Sequence, residues 1–283
     1  MTALRTLLIL GRTSNLPTVW SNCLAGWWLG GGGNLKILFP LMTGATLLYL
    51  GGMFLNDAFD AKFDAEYKRE RPIPSGLISA KAVWQIGFGL LAAGLGCLFF
   101  LGMVTGILGV LLVVCILIYD AVHKLLTISP VLMAACRFVL YLIAASTGAD
   151  GVTGWAVWCG LALAAYIVGL SYIARKESRR GPLRFWPCLF LVIPILLALI
   201  MNANGYVQHA LWVSAVLGLW ILRSLRYTFG ESDWNIGRTV SGLLAGIVWV
   251  DLLAVVDIPQ ELAPVFVGLF LLALLFQKFI PAT

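Results

Sequence analysis

The chain has 283 residues, of which 61% are apolar and only 11% are charged, and its mean hydropathy is +0.95. A soluble domain of this length would carry roughly a quarter charged residues, so the composition excludes a soluble globular protein and indicates a chain that crosses a membrane several times. The net charge of +6 is expected of a membrane protein that uses Lys and Arg to set its orientation, so we expect no nucleic-acid partner. The six cysteines stand singly in apolar segments and indicate neither a disulfide framework nor a zinc site.

Ten segments are apolar and long enough to cross a bilayer as helices. They comprise residues 15–31, 36–56, 80–101, 103–120, 128–148, 152–173, 183–201, 208–226, 236–256 and 261–280. With the N-terminus in the cytoplasm, the connections that carry most Lys and Arg residues lie inside, and only Lys36 lies on the opposite side. We therefore predict a single all-α integral membrane domain over residues 1–283, with ten spans and both termini in the cytoplasm.

The second predicted span runs into the sequence NDAFDAKFD, which places an asparagine and three aspartates at the membrane boundary. Asn56, Asp60 and Asp64 are four residues apart, so their oxygen atoms share one face if the helix continues. Carboxylate and amide oxygens suit Mg²⁺, which shares its other positions with waters and substrate phosphates. We predict that these three residues bind Mg²⁺ and that Asp57 and Asp60 are catalytic. The alternative is a solvated acidic loop paired with nearby lysines and arginines.

Basic residues follow at once, among them Lys68 and Arg71, which come just before Pro72 and a proline-containing turn. The prolines fix the backbone and can fold these cations back over the carboxylates. An anion that is held by both Mg²⁺ and guanidinium groups matches a diphosphate. We assign Lys68 and Arg71 to substrate binding, with membrane topology alone as the alternative role.

Tyr119 lies at the end of the fourth predicted span, and Lys124 follows five residues later. A phenol and an ammonium group about one helical turn apart can both reach a diphosphate oxygen, so we place both in the catalytic centre. The alternative is an interfacial aromatic residue beside a lysine that extends toward water.

The sixth predicted span ends in the sequence SYIARKE, in which Glu177 is the only acid. We predict that Glu177 is a catalytic carboxylate and a ligand of a second metal, or that it orients Arg175 and Lys176. Those two cations are assigned to substrate binding. A salt-bridged surface glutamate is the alternative.

Arg137 lies near the middle of the fifth predicted span, where a charge is costly and therefore tends to be functional. Asn22 in the first span and Asp251 in the ninth are weaker signals of the same kind. We expect Arg137 and Asn22 to bind substrate, although Asn22 can instead hydrogen-bond across helices.

The segment NDAFDAKFDAEYKRERPIPSGLIS, residues 56–79, resembles the first Asp-rich motif and the basic segment behind it in the UbiA superfamily of intramembrane prenyltransferases. The Tyr119 to Lys124 segment is similar to the family's Tyr and Lys element after its fourth helix. The family also has residues comparable to four in the first predicted span and just before it: Arg12, Pro17, Asn22 and Gly26. On this ground Arg12 joins the candidate substrate-binding residues.

The resemblance implies a helical barrel around a central cavity, in which two Asp motifs bind an isoprenyl diphosphate through Mg²⁺ and the prenyl tail lies in a lipid-facing tunnel. Two features depart from the family pattern. The second motif should read DxxxD, but its two positions fall on Ile173 and Glu177. The family norm is also nine spans, against ten predicted here.

These observations fit an Mg²⁺-dependent prenyltransferase whose active-site mouth faces the cytoplasm. Metal and cations would draw off the diphosphate, and an unidentified acceptor would capture the allylic carbocation. Its expected partners are an isoprenyl diphosphate, that acceptor and membrane lipid. A terpene cyclase on the same scaffold is the alternative, and a non-catalytic membrane transporter is a more remote one.

Overall fold

The computed structural model describes residues 3–124, 126–178, 185–201, 206–229 and 235–281, and no β-strand occurs within these ranges. The described part of the chain forms eleven α-helices. They are α1 (Ala3–Leu10), α2 (Leu16–Leu29), α3 (Leu38–Tyr67), α4 (Ala80–Leu101), α5 (Met103–Val122), α6 (Ser129–Ala145), α7 (Gly154–Ser178), α8 (Ile193–Met201), α9 (Val207–Phe229), α10 (Ile236–Ala254) and α11 (Ala263–Gln277). Short 3-10 helices at Thr13–Asn15, Leu35–Ile37 and Trp186–Val192 precede α2, α3 and α8.

An α-helix lies within or overlaps each of the ten predicted spans. Within the described ranges, five helical segments are both long and apolar enough to cross a membrane: Leu35–Tyr67, Ala80–Leu101, Met103–Val122, Gly154–Arg175 and Ile236–Ala254. The apolar segments Ser129–Ala145, Trp186–Met201 and Ala263–Gln277 are shorter. An all-helical architecture with helices able to cross a membrane is therefore observed in the described ranges, whereas the number of spans and the side of the termini stay predictions.

Helix α3 is longer than the predicted span 36–56 and runs on to Tyr67. Its 30 residues give a length of about 45 Å, which exceeds the hydrocarbon thickness of a bilayer by roughly half. The helix packs closely on α4 because glycines face each other: a Cβ atom on Gly51 would lie 2.9 Å from the carbonyl oxygen of Gly87. The helix is thus longer than one bilayer crossing requires, and the acidic motif occupies its last turns.

The segment between α3 and α4 folds back on itself. Helix α3 ends with the Lys68 backbone N–H donating to the Asp64 carbonyl at 2.8 Å. A turn closed by the Leu77 N–H and the Pro72 carbonyl, 3.1 Å apart, leads to Ser79, whose hydroxyl caps α4 by accepting from the Ala82 N–H at 3.2 Å. This return brings the predicted basic segment back alongside the last turns of α3.

Helix α2 is the central element, since most of its residues are buried and it packs against α3, α6, α10 and α11. At one end of the bundle the glycine turn after α2 meets the turn after α6, where the Asp150 N–H donates to the Gly30 carbonyl at 2.7 Å. Elsewhere the Ser14 hydroxyl donates to the Pro281 carbonyl at 3.3 Å, so the segment between α1 and α2 lies beside the C-terminal end of the described chain.

Candidate active site

The acidic motif lies on the C-terminal turns of α3, as the sequence predicted. Asn56, Asp57, Asp60 and Asp64 are each at most 8% exposed, so these polar side chains face the protein. Because α3 continues without a break to Tyr67, the four-residue spacing does place Asn56, Asp60 and Asp64 on one side of the helix.

Two arginines bind the first aspartate of this motif. Arg71 Nη1 lies 2.9 Å from Asp57 Oδ1 and 3.4 Å from Asp64 Oδ2, so this cation bridges two carboxylates. Arg12 Nη2 lies 3.5 Å from the same Asp57 oxygen. The predicted return of the basic segment over the carboxylates is therefore observed for Arg71, whereas Lys68 contributes its backbone to the end of α3.

Arg12 reaches the motif from an unusual backbone conformation between α1 and α2. Its φ of 40° and ψ of 49° are left-handed, which is uncommon for a residue with a Cβ atom and often marks a functional site. The Tyr49 hydroxyl donates to the Arg12 carbonyl at 3.2 Å and helps to hold this turn. Burial works against the charged guanidinium, but attraction to Asp57 is among several effects that together raise the pKa of Arg12, so it stays charged.

The second aspartate of the motif, Asp60, is bound by the segment that follows α5. Lys124 Nζ lies 2.7 Å from Asp60 Oδ1 and 3.7 Å above the ring centroid of Phe63. His123 Nε2 lies 3.4 Å from the other Asp60 oxygen, and its ring stacks on that of Tyr119 with the centroids 5.1 Å apart. His123 was not predicted as a site residue, although its position one turn after Tyr119 and next to Lys124 was a usable signal.

Asn56 links this cluster to a second residue that the sequence analysis did not assign. Its amide oxygen accepts from Arg12 Nη2 at 3.3 Å, and its amide nitrogen donates to Asp120 Oδ1 at 3.0 Å. Asp120 is 4% exposed, and its Oδ2 atom has no hydrogen-bond partner among the described residues. Both the oxygen and the nitrogen of the Asn56 amide thus form hydrogen bonds, so its predicted role as a metal ligand would require these hydrogen bonds to rearrange.

A cavity opens between α2, α3, α5 and α6, next to the acidic cluster. Its wall is mostly apolar, and its polar groups belong to Tyr49, Tyr119, Asp120 and Arg137. A mostly apolar wall with a few polar groups is typical of a small-molecule site.

Arg137 is held in the cavity wall by a buried polar network. Its Nη1 atom donates to the Asn22 amide oxygen at 2.7 Å, and Nη2 donates to the Thr18 hydroxyl at 3.1 Å. The Asn22 amide nitrogen in turn donates to both oxygens of Asp251, at 2.9 and 2.8 Å, and Asp251 also accepts from the hydroxyls of Ser21 and Tyr141. Asn22 is fully buried, so it can act on a substrate only through Arg137.

The residues predicted at the end of the sixth span lie on α7. Arg175 Nη1 lies 3.4 Å from the Ser129 hydroxyl at the start of α6. Ile173 is fully buried, so this position of the second Asp motif has neither an oxygen ligand nor access to solvent. The backbones of Lys176 and Glu177 belong to α7, but their side chains lie outside the described part of the structure.

The carboxylates of the acidic motif are the candidate ligands for Mg²⁺. Within the described residues, no group of three or more His, Cys, Asp or Glu side chains is placed to hold a metal ion by itself. The carboxylates of α3 nevertheless supply the oxygen donors that Mg²⁺ prefers, and each of them carries a cationic partner that a phosphate oxygen could attract away. The chemistry fits an Mg²⁺ ion that is bound jointly by Asp60 or its neighbours, by waters and by a substrate phosphate.

The fold of this chain has counterparts among proteins of known structure. The fold is similar to that of a UbiA homologue from Aeropyrum pernix K1, with a TM-score of 0.68 and 15% identity over 91% of this chain and 99% of the other. It is also similar to a UbiA homologue from Archaeoglobus fulgidus bound to GPP and Mg²⁺, with a TM-score of 0.65 and 12% identity over 97% of each chain.

The sequence is 28% identical to the 4-hydroxybenzoate octaprenyltransferase of Alcanivorax borkumensis over 240 residues, which are 76% of this chain and 78% of that relative. The profile of the UbiA prenyltransferase family matches residues 15–222, well over half of the chain. The chain therefore belongs to the UbiA prenyltransferase family of membrane enzymes.

Proposed function

We propose that this enzyme is an Mg²⁺-dependent intramembrane prenyltransferase that ionises an isoprenyl diphosphate and passes the prenyl group to an acceptor. One observation carries the proposal: Arg12, Arg71 and Lys124 converge with three buried aspartates beside a largely apolar cavity. The cations can bind the diphosphate oxygens and the carboxylates can bind Mg²⁺. The apolar cavity can accept a hydrocarbon or an aromatic ring.

The aspartates and the basic residues exchange partners when the substrate binds. The guanidinium groups of Arg12 and Arg71 and the ammonium of Lys124 turn from the carboxylates to the diphosphate oxygens. Bound Mg²⁺ would add positive charge to the leaving group. Tyr119 lines the cavity and stacks on His123, and in this proposal its hydroxyl donates to a diphosphate oxygen.

The reaction breaks the bond between C1 of the prenyl group and the diphosphate oxygen, and the electron pair leaves with the diphosphate. The acceptor then forms a bond to C1 and loses a proton. Tyr49 and Tyr119 in the cavity wall would stabilise the allylic carbocation that forms between these steps through their π systems. The low dielectric of the cavity strengthens every charged contact with the leaving group.

Glu177, Arg175 and Lys176 complete the proposed site as a fourth carboxylate and two further cations on α7. We infer that they act on the diphosphate or on a second Mg²⁺ ion. We also infer that the active-site mouth faces the cytoplasm, because the basic connections carry the positive-inside signal.

The direct test incubates the purified enzyme in lipid nanodiscs with radiolabelled geranylgeranyl diphosphate, with and without 4-hydroxybenzoate and other acceptors. We expect Mg²⁺-dependent release of diphosphate and a prenylated product only when an acceptor is present. Asp60→Asn should reduce release at least 100-fold, whereas Glu66→Gln, an exposed acid on the same helix, should leave it unchanged. A near wild-type rate in Asp60→Asn would overturn the proposal.

The same assay separates the transferase from a terpene cyclase. A cyclase captures the carbocation with double bonds of its own substrate, so it would form a cyclic hydrocarbon without any acceptor. Membership in a prenyltransferase family favours the two enzyme hypotheses, transferase and cyclase, over the transporter hypothesis that the sequence alone left open.

A further inference from the structure

Four exposed cations lie where α9 and α11 end and α10 begins: Arg223, Arg226, Arg238 and Lys278. Arg223 and Arg226 belong to the last two turns of α9, Arg238 to the first turn of α10, and Lys278 directly follows α11. The ion pairs among the described residues all lie at the acidic motif of α3. Within the described part of the chain, none of the four cations therefore has a carboxylate partner.

Hydrogen bonds hold the ends of these three helices together. The Asn235 N–H, just before α10, donates to the Tyr227 carbonyl on α9 at 2.9 Å. The Gln277 side-chain amide, at the end of α11, donates to the Ser241 carbonyl on α10 at 3.0 Å. The four cations are thus brought to the same end of the bundle.

Two of the cations lie over aromatic rings. The Cζ atom of Arg223 is 5.0 Å from the ring centroid of Trp220, and that of Arg238 is 5.3 Å from the ring centroid of Tyr227. Trp220 is itself fixed, because its indole N–H donates to the Gly242 carbonyl at 2.7 Å. A guanidinium group over an aromatic face is held in place while its N–H donors remain able to bind another partner. Arg223 and Arg238 are therefore preorganised to bind an anion.

The described acids of these helices lie away from the four cations. In residues 206–229 and 235–281 they are Asp251, Asp257 and Glu261. Asp251 is fully buried in α10, and the other two follow the opposite end of that helix. Glu231 and Asp233, between α9 and α10, lie outside the described residues. The described surface therefore carries a positive charge that is complementary to a phosphate.

Exposed apolar side chains adjoin the cations. Leu222 is next to Arg223 on α9, Phe279 is next to Lys278 after α11, and both apolar side chains are exposed. An apolar surface that ends in cations matches a molecule with acyl chains and an anionic headgroup. The positive-inside rule predicts that this end faces the cytoplasm, where anionic lipids attract basic residues near the membrane surface.

We propose that Arg223 and Arg238 bind the phosphate of an anionic phospholipid whose acyl chains lie along α9 and α11. A guanidinium group can donate to two oxygens of one phosphate, which gives this contact both strength and direction. A choline headgroup brings its own cation to a surface that already carries four, so a zwitterionic lipid binds more weakly. These residues lie on other helices than the acidic motif, so lipid binding here is independent of the proposed catalysis.

The test measures lipid binding to the purified protein in detergent by native mass spectrometry. Phosphatidylglycerol and phosphatidylcholine with identical acyl chains are compared, and we expect phosphatidylglycerol to bind the wild type about tenfold more tightly. Arg223→Gln and Arg238→Gln should each weaken the binding of phosphatidylglycerol about fivefold, and together they should remove the preference. Arg226→Gln is the matched control, because it removes the same charge from α9 at a residue without a ring contact in the described structure. It should change the affinity by less than about twofold.

Tyr227 provides a second pair of variants. Tyr227→Phe keeps the ring beneath Arg238 and should keep the affinity, whereas Tyr227→Leu removes the ring and should weaken binding several-fold. Unchanged affinity in Tyr227→Leu would contradict the role of the ring.

Three results would overturn the lipid site. Equal affinity for the two lipids would show that the phosphate charge is not recognised. Equal weakening by Arg223→Gln, Arg226→Gln and Arg238→Gln would indicate a general attraction to a basic surface. Displacement of phosphatidylglycerol by inorganic phosphate at equal concentration would indicate a site for a soluble anion instead of a lipid.

Discussion

The ion pair between Asp60 and Lys124 can be reversed by exchanging the two residues. This exchange separates the contribution of the pair to stability from its contribution to catalysis. Lys124 Nζ and Asp60 Oδ1 are 2.7 Å apart, and the two side chains are 31% and 10% exposed. A partly exposed pair of this kind contributes about 1 kcal/mol to stability, and the additional contact of Asp60 with His123 leaves that order of magnitude unchanged. In catalysis, by contrast, a lost contact to the leaving group typically costs about 3 kcal/mol, or roughly 100-fold in rate.

The perturbation is the double variant Asp60→Lys with Lys124→Asp, compared with Asp60→Asn and Lys124→Gln alone. Each single variant should lose about 1 kcal/mol of unfolding free energy and at least 100-fold in diphosphate release. The swap should regain most of the stability but none of the rate, because the metal-binding carboxylate then lies on the wrong element. Unfolding in detergent and release of labelled diphosphate measure the two quantities. Wild-type turnover in the swapped enzyme would show that this pair is only structural and would refute the assignment.

Three further predictions concern the rest of the site. Arg71→Gln should raise the KM for geranylgeranyl diphosphate about tenfold, because Arg71 alone among the described residues bridges two carboxylates. Arg71→Lys should raise the KM less, and equal KM values in the wild type and both variants would contradict the bridge. In a cysteine-free background, Ser75→Cys should react with a membrane-impermeant maleimide from the cytoplasm and Asn34→Cys only from the other side, and the reverse pattern would contradict the predicted orientation. Glu177→Gln should lower Mg²⁺-dependent turnover at least tenfold and raise the Mg²⁺ concentration needed for half-maximal rate, whereas full activity would show that α7 supplies no carboxylate to the metal.

The parts of the site that the sequence predicted are those that lie close together along the chain. The register of Asn56, Asp60 and Asp64 follows from the helical period alone, and the return of Arg71 follows from the prolines behind it. The positions of the apolar helices were also predicted, because a run of about 20 apolar residues marks a segment that can cross a bilayer. Helix α3 exceeded its predicted end because the acidic motif is itself helical, which hydropathy does not register.

The parts that the sequence did not reveal depend on packing between distant helices. Arg12 pairs with Asp57 across 45 positions, and only the resemblance to the family drew attention to it. Asp120 and His123 each look like an ordinary polar residue at the end of an apolar helix. Asn22 lies on a helix that is buried nearly all round, so no periodic pattern shows which side chain it faces.

The contact between Asn22 and Asp251 has a consequence for how the protein is made. Asp251 lies 229 residues after Asn22, on α10, whereas Arg137 enters the bilayer much earlier with α6. Each charge costs about 3 kcal/mol at the centre of an inserting helix. We therefore expect Arg137 to lack this counter-charge during synthesis until α10 is inserted, with the Asn22 amide as a hydrogen-bond partner. We accordingly expect a chain truncated before α10 to remain with the insertion machinery or to be degraded. Quality control in the membrane would then depend on the formation of this network, before the enzyme binds any substrate.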